Sequence, residues 1–166
     1  MTVEQFNSLD DAKAHAALQS CCVAPRWIDQ MLLARPFVSR EQLLFQAQQT
    51  WQLLGESDYL AAFEGHPQIG DVSTLSKKFA NTAKLAGHEQ SGMSQADEQV
   101  LEEMLALNQA YLAKFGFIFI VCATGKSALE MLELIRERID NEPAAELAIA
   151  AAEQAKITKI RLEKLV

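Results

Sequence analysis

Several large classes of protein are excluded by what this chain has little of. Its three cysteines, Cys21, Cys22 and Cys122, are an odd number without zinc-like spacing, and adjacent cysteines rarely pair with each other. They read as reduced, small core residues rather than as a disulfide framework. A thiol nucleophile at Cys21 or Cys22 needs an activating base, which the sequence places beside neither. Positive charge is also scarce: 15 Lys and Arg stand against 22 Asp and Glu, giving a net charge of -7 and a pI near 5.0. Such a field repels polyphosphate, so no nucleic-acid partner is expected. No apolar run approaches the roughly 20 residues that span a bilayer. The start, Met1-Thr2-Val3-Glu4-Gln5-Phe6, lacks the segments of a signal peptide, and the end, Glu163-Lys164-Leu165-Val166, lacks a peroxisomal Ser-Lys-Leu address. A cytoplasmic protein without a membrane partner is expected. The three histidines, His15, His66 and His88, show no metal-ligand spacing, and no metal site is expected.

What remains is a globular composition, with 49% hydrophobic and 22% charged residues over 166 positions, a length that fits one domain. No repeat, low-complexity linker or composition break divides residues 1–166. Helix signals dominate. Ser39-Arg40-Glu41-Gln42 reads as a capping box, followed by Leu43, Leu44, Ala47, Trp51 and Leu54 at helical spacing up to Gly55. Ser94 with Asp97 opens a second amphipathic helix running through Val100, Leu101, Met104, Leu105, Leu107, Tyr111 and Leu112 to Gly116. Ser127 with Glu130 opens a third, through Leu129, Leu132, Ile135 and Ile139. A long alanine-rich helix starts at Asn141-Glu142-Pro143 and runs to Leu165. Shorter helices are predicted in Asp10 to Ser20, Pro25 to Ala34, Ser57 to Glu64 and near Leu75 to Ala83, making about eight in all. The fold class is therefore all-α, a single-domain bundle with one short extended segment. That segment is Phe117-Ile118-Phe119-Ile120-Val121-Cys122, β-branched and continuous but without a partner strand, so its backbone groups are expected to meet helix ends or a ligand.

Three places hold residues suited to chemistry. Gly65-His66-Pro67-Gln68-Ile69-Gly70-Asp71 is a stiff loop: Pro67 pushes His66 toward extended conformations, and the glycines permit close approach. A histidine so held suits proton transfer near neutral pH, and it equally suits a helix cap or a plain turn. His88-Glu89-Gln90-Ser91-Gly92 offers a carboxylate and an amide, or simply a solvated turn. Arg161 lies on or beside the Ile157/Ile160 stripe of the last helix. It either covers apolar surface or meets a buried carboxylate, or else presents its fork of donors to the carboxylate of a ligand.

In order along the chain, Phe6-Asn7-Ser8-Leu9, Cys21-Cys22-Val23-Ala24-Pro25-Arg26-Trp27, Arg35-Pro36-Phe37, His66-Pro67-Gln68-Ile69-Gly70-Asp71, Glu89-Gln90, Asn108 with Tyr111, Lys114-Phe115-Gly116-Phe117-Ile118-Phe119 and Ile157-Thr158-Lys159-Ile160-Arg161-Leu162 resemble the 2-oxo-4-hydroxy-4-carboxy-5-ureidoimidazoline (OHCU) decarboxylase family. The resemblance covers nearly the whole chain. It implies an all-helical, usually homodimeric enzyme of urate degradation that forms (S)-allantoin without metal or organic cofactor. Carried over by position, it implies catalytic roles for His66, Glu89 and Arg161, and a substrate pocket lined by Pro67, Gln90, Phe117, Ile118, Phe119 and Ile120. Ala86 departs from the pattern, since many members carry Ser three residues before the Glu-Gln pair. A helical ligand-binding or interaction module of the same fold is the alternative to an enzyme.

Overall fold

The computed structural model describes residues 1–68 and 95–166, with side chains from residue 98 onward in the second stretch. Its described residues form eight helices and no strand: α1 (Val3–Asn7), α2 (Asp11–Gln19), α3 (Pro25–Leu33), α4 (Arg40–Gln52), α5 (Glu56–Phe63), α6 (Gln95–Phe115), α7 (Ala128–Arg138) and α8 (Pro143–Leu165). The expected all-α class is thus observed. The predicted helix near Leu75 to Ala83, the Ser94 cap, Ala86, His88, Glu89 and Gln90 lie outside the described residues. One observed helix, α1, was not expected, because five residues are too few to show a periodic pattern. It forms through a reciprocal cap in which Thr2 Oγ1 accepts from the Gln5 N–H at 3.2 Å and Gln5 Oε1 accepts from the Thr2 N–H at 2.8 Å.

The other starts follow the same rule that orphan N–H groups need acceptors. Asp10 caps α2, Ser127 caps α7 and Ser39 caps α4 through their side chains, and Pro25 occupies the first turn of α3, where its missing N–H costs nothing. The box at α4 closes differently from its expected form. Ser39 Oγ accepts from the Gln42 N–H, but Gln42 Oε1 reaches one residue further back, to the Val38 N–H at 2.8 Å.

The chain forms two compact units, Met1–His66 with Ile149–Val166, and Pro67–Ala148. In the first, α3 packs on α2, α4 and α5. Phe6, Leu18, Trp27, Ile28, Met31, Leu43, Phe63 and Leu162 are fully buried there, each contributing roughly 1.5–3 kcal/mol by leaving water. Both indoles satisfy their N–H groups on helix carbonyls: Trp27 on Ala47 at 3.2 Å, and Trp51 on Ala151 at 2.9 Å. The Arg35-Pro36 peptide bond is cis. Next to it Asn7 pairs with both backbone groups of Phe37, donating to its carbonyl at 2.8 Å and accepting from its N–H at 2.9 Å.

In the second unit α6 packs on α7. The buried face of α7 differs from the expected Leu129/Leu132/Ile135/Ile139 stripe. Leu129 is exposed, and Met131, Leu132, Ile135 and Arg138 are buried, because a charged residue occupies a core-facing position that a reading of apolar periodicity passes over. The stretch 117–123 is neither helix nor strand and runs between Gly116 (φ 79°) and Gly125 (φ 75°), both in the left-handed region that glycine alone enters cheaply.

Candidate functional site

His66 stands just beyond the C-terminus of α5. Its backbone N–H returns to the Phe63 carbonyl at 3.1 Å, which continues the helical turn as far as the residue before Pro67. A Cβ added to Gly65 would lie 2.5 Å from Val23 Cγ2 and 3.3 Å from the Ala62 carbonyl oxygen, so this glycine serves packing against Val23. The imidazole is half-buried, and its Nε2 lies 2.6 Å from Oε1 of Gln154 on α8.

Gln154 is almost completely buried, with 1% of its surface exposed, so its amide needs partners on both ends. It finds the second in Thr158, one turn later, whose Oγ1 accepts from Nε2 at 3.1 Å. Thr158 is also buried. A polar chain therefore runs from His66 through Gln154 to Thr158 in the interior of the first unit. Burial pushes the Cys22 thiol up to about 11, against the opposing effects of the Ala24 N–H, the Thr158 hydroxyl and the Arg161 charge. Burial raises Cys21 as well, opposed by Ser20 and Arg161. All three cysteines are buried, which agrees with the reading of small core residues, and the raised pKa values make Cys21 and Cys22 poor nucleophiles near neutral pH.

Arg161 sits one turn beyond Thr158, so Gln154, Thr158 and Arg161 follow one stripe of α8 at i, i+4 and i+7, about 10 Å from end to end. It is half-buried and donates through Nη1 to the Cys21 carbonyl at 3.3 Å, one of five donors in its fork. The stripe expected through Ile157 and Ile160 is only half-buried, and the buried residues of α8 in this unit are Ala150, Ala151, Glu153, Gln154, Thr158 and Leu162. Gln154 and Thr158 were missed because polar side chains do not register in an apolar pattern. Their signal is that two amphiphiles at i, i+4 interrupt an otherwise alanine-rich face.

The second unit holds Pro67, which is exposed, and the extended stretch. Phe117 and Ile120 are buried, and Ile118 and Phe119 half-buried. Tyr111 gathers Phe115, Phe117 and Phe119 around its ring, with centroids 4.6, 5.8 and 5.3 Å away. Arg138 stacks its guanidinium over Phe119 at 4.5 Å, donates to the Ile120 carbonyl at 2.7 Å and pairs with Glu146 of α8 through Nε at 2.7 Å. The Tyr111 hydroxyl and the Asn141 amide also donate to the Glu146 carboxylate, which is fully buried. Burial and the Glu146 carboxylate raise the Tyr111 phenol well above its ordinary range. The backbone of the extended stretch thus meets a buried arginine, in keeping with the expectation that it would not pair as a strand. Among the described residues no three His, Cys, Asp or Glu side chains are grouped to hold a metal ion, and no helix is long and apolar enough to cross a membrane.

A small all-helical protein with a loop histidine on a buried amide relay is the class that fold and geometry define. A family model for OHCU decarboxylase matches residues 7–163, and the chain belongs to that family. It is 36% identical over 146 residues to the uric acid degradation bifunctional protein of Arabidopsis thaliana, covering 87% of this chain and 45% of that one. It is 23% identical over 163 residues to an OHCU decarboxylase of Haloferax volcanii, covering 98% of this chain and 94% of that protein. A crystal structure of OHCU decarboxylase in the presence of (S)-allantoin superposes with a TM-score of 0.73 at 34% identity, covering 95% of this chain and 98% of that one. The chain spans only about a third to somewhat over half the length of the first curated relatives it matches, several of them bifunctional.

Proposed function

We propose that residues 1–166 act as one domain that decarboxylates OHCU to (S)-allantoin in urate degradation, with His66 as its acid–base group. The observation that carries this reading is the His66 ring, held by a buried amide inside a chain of the OHCU decarboxylase family. The substrate bears a carboxylate on a tetrahedral carbon that also carries a hydroxyl, next to an unsaturated carbon–nitrogen unit. Decarboxylation breaks the carbon–carboxylate bond and releases carbon dioxide. The bonding pair moves into the unsaturated unit, and a proton is then delivered to one face. His66 moves a proton at the hydroxyl or the developing anion, and Glu89 orients His66 or the substrate N–H groups. Arg161 holds an anionic or carbonyl edge, helping mainly by orientation, since equal grip on ground and transition states gives no rate. Pro67, Gln90, Phe117, Ile118, Phe119 and Ile120 line the pocket, with no metal or organic cofactor taking part.

The protein acts in the cytoplasm as a homodimer. Leu33, Val38, Phe45 and Leu53 are 78%, 84%, 61% and 85% exposed and are apolar side chains that a second copy could cover. The experiment that tests the activity generates the unstable imidazoline from urate with the upstream enzymes and follows the optical activity of the allantoin formed. The purified protein accelerates the appearance of the (S)-enantiomer. Racemic product at the uncatalysed rate overturns the assignment.

A further inference from the structure

We infer that Arg138 is a positioning residue for the substrate pocket, setting the place of Ile118, Phe119 and Ile120 through its hold on the Ile120 carbonyl and the Phe119 ring. The inference rests on the proposed pocket wall at Phe117, Ile118, Phe119 and Ile120 and reaches beyond it, to the side chain that fixes that wall.

The stretch 117–123 forms neither helix nor strand, so no hydrogen-bond ladder dictates where its backbone lies. Arg138 takes over part of that task. It is the last residue of α7, and its side chain is only 8% exposed. It grips two consecutive residues in different ways: Nη1 donates to the Ile120 carbonyl at 2.7 Å, and the guanidinium lies over the Phe119 ring, 4.5 Å from its centroid. Ile120 is buried, while Ile118 and Phe119 keep part of their surface open. The open part of the wall thus directly precedes the carbonyl that is held.

The grip is oriented from behind. Glu146 takes Nε at 2.7 Å and Nη2 at 2.5 Å, and its carboxylate is itself held by the Tyr111 hydroxyl and by the Asn141 amide at 3.1 Å. A planar guanidinium bound along one edge has little freedom left, so the donor on Ile120 and the plane on Phe119 are fixed together. Lysine offers donors but no plane to lay on the ring. A misplacement of about 1 Å in such a wall is enough to cost about 100-fold where a small substrate must fit it. No proton passes through Arg138, whose guanidinium stays charged, so the loss should fall on KM rather than on kcat.

The test removes both charges together, Arg138→Met with Glu146→Leu, in the full-length protein, so that no ion is stranded. KM for the imidazoline and Ki for (S)-allantoin are expected to rise about 10–100-fold, with kcat within about threefold and the pH–rate profile unchanged. A purely structural pair would leave KM and Ki at parental values in the folded double variant, and that result overturns the inference. So does a pH–rate profile that moves, since the change then reaches the proton step. If the double variant does not fold, Arg138→Lys decides. It keeps a charge for Glu146 and is expected to show the same rise in KM, and a parental KM overturns the inference. Arg136→Gln, two residues away and nearly half exposed, is the control and is expected to leave these constants unchanged; an equal rise there also overturns the role given to Arg138. Should the parent fail to decarboxylate, calorimetric binding of (S)-allantoin separates the two claims. Binding that weakens in the double variant refutes the activity but upholds Arg138, whereas binding that does not weaken, or none in the parent, overturns the inference as well.

Discussion

Helix α8 carries two buried polar clusters of opposite character. At its first turn Glu146 meets Arg138, Tyr111 and Asn141, a charged cluster with a fully buried carboxylate at its centre. Eight residues later Gln154 links the Thr158 hydroxyl to the His66 ring in a chain without a carboxylate. The charged cluster is rigid by necessity, because each ion desolvated in the interior depends on its partner. It fixes the Ile120 carbonyl and the Phe119 ring, and so the course of the extended stretch. The neutral chain is built of an amide and a hydroxyl and ends on an imidazole, a type of side chain suited to proton transfer. A scaffold is best built from the first kind and proton chemistry from the second.

The largest difference between the clusters should appear in activity. His66→Ala is expected to cost kcat about 10²–10⁴-fold, the usual scale of one acid–base group, while unfolding stability falls by only about 1–3 kcal/mol for the unsatisfied Gln154 oxygen. Steady-state kinetics beside urea titration measures both, and near-normal turnover in a folded variant defeats the role given to His66. Glu146→Gln should invert that pattern. It strands the Arg138 charge in the interior, and a loss of about 3–5 kcal/mol in denaturant unfolding is expected. Replacing both partners by apolar residues, Arg138→Met with Glu146→Leu, should recover most of that loss. If the single change proves harmless, Arg138 is not the buried, pair-dependent ion described.

How far the sequence foretold these clusters differs between them and follows from what each is made of. Helix limits were legible because caps and stops are chemical: Ser39, Ser127, Asp10 and Pro25 fall where orphan N–H groups demand them. His66 drew notice through its unusual loop, and Arg161 through its place beside the Ile157/Ile160 stripe. Arg138, Glu146, Gln154 and Thr158 were not, since polar residues are assigned to solvent unless a partner is known, and those partners lie between 4 and 88 positions away in the chain. The Leu129 error has the same origin: apolar periodicity alone rotated the stripe of α7 away from the face that buries Arg138.

Gly65→Ala sharpens the comparison on the side of the neutral cluster. The new methyl meets Val23, whose branched side chain has little rotamer freedom, and overpacking of this kind costs about 1–3 kcal/mol. Thermal unfolding should register it, and kcat should fall further than stability, because the displaced turn carries His66. A stable variant with parental kinetics argues that Val23 yields at no cost. Alkaline pH offers a probe of burial in both units at once. Cys22 and Tyr111 have raised pKa values in the folded protein, so the unfolded chain ionises first. Their stabilisation is complete below the unfolded thiol value of about 9.0 and is lost as pH rises, for Cys22 between about 9 and about 11. Denaturant midpoints that stay level over that interval would contradict the burial assigned to these groups. The same raised thiol should make alkylation of Cys22 at pH 8 about 100-fold slower than that of an ordinary thiol, by the two-unit difference in thiolate fraction alone.

The smallest effect is expected two residues from the largest structural one. Arg136 and Glu103 form an ion pair like Arg138 and Glu146, through contacts of 2.9 and 2.5 Å, but both side chains are nearly half exposed. Water and salt screen such a pair, and ordering two long side chains offsets much of the attraction, so Glu103→Gln should cost only about 0.2–1 kcal/mol and less as salt is added. Neighbouring arginines on one helix would then differ severalfold in the cost of losing their partner, with burial as the main difference between them. If the two substitutions cost the same, desolvation is not what separates the charged cluster at the head of α8 from the surface around it.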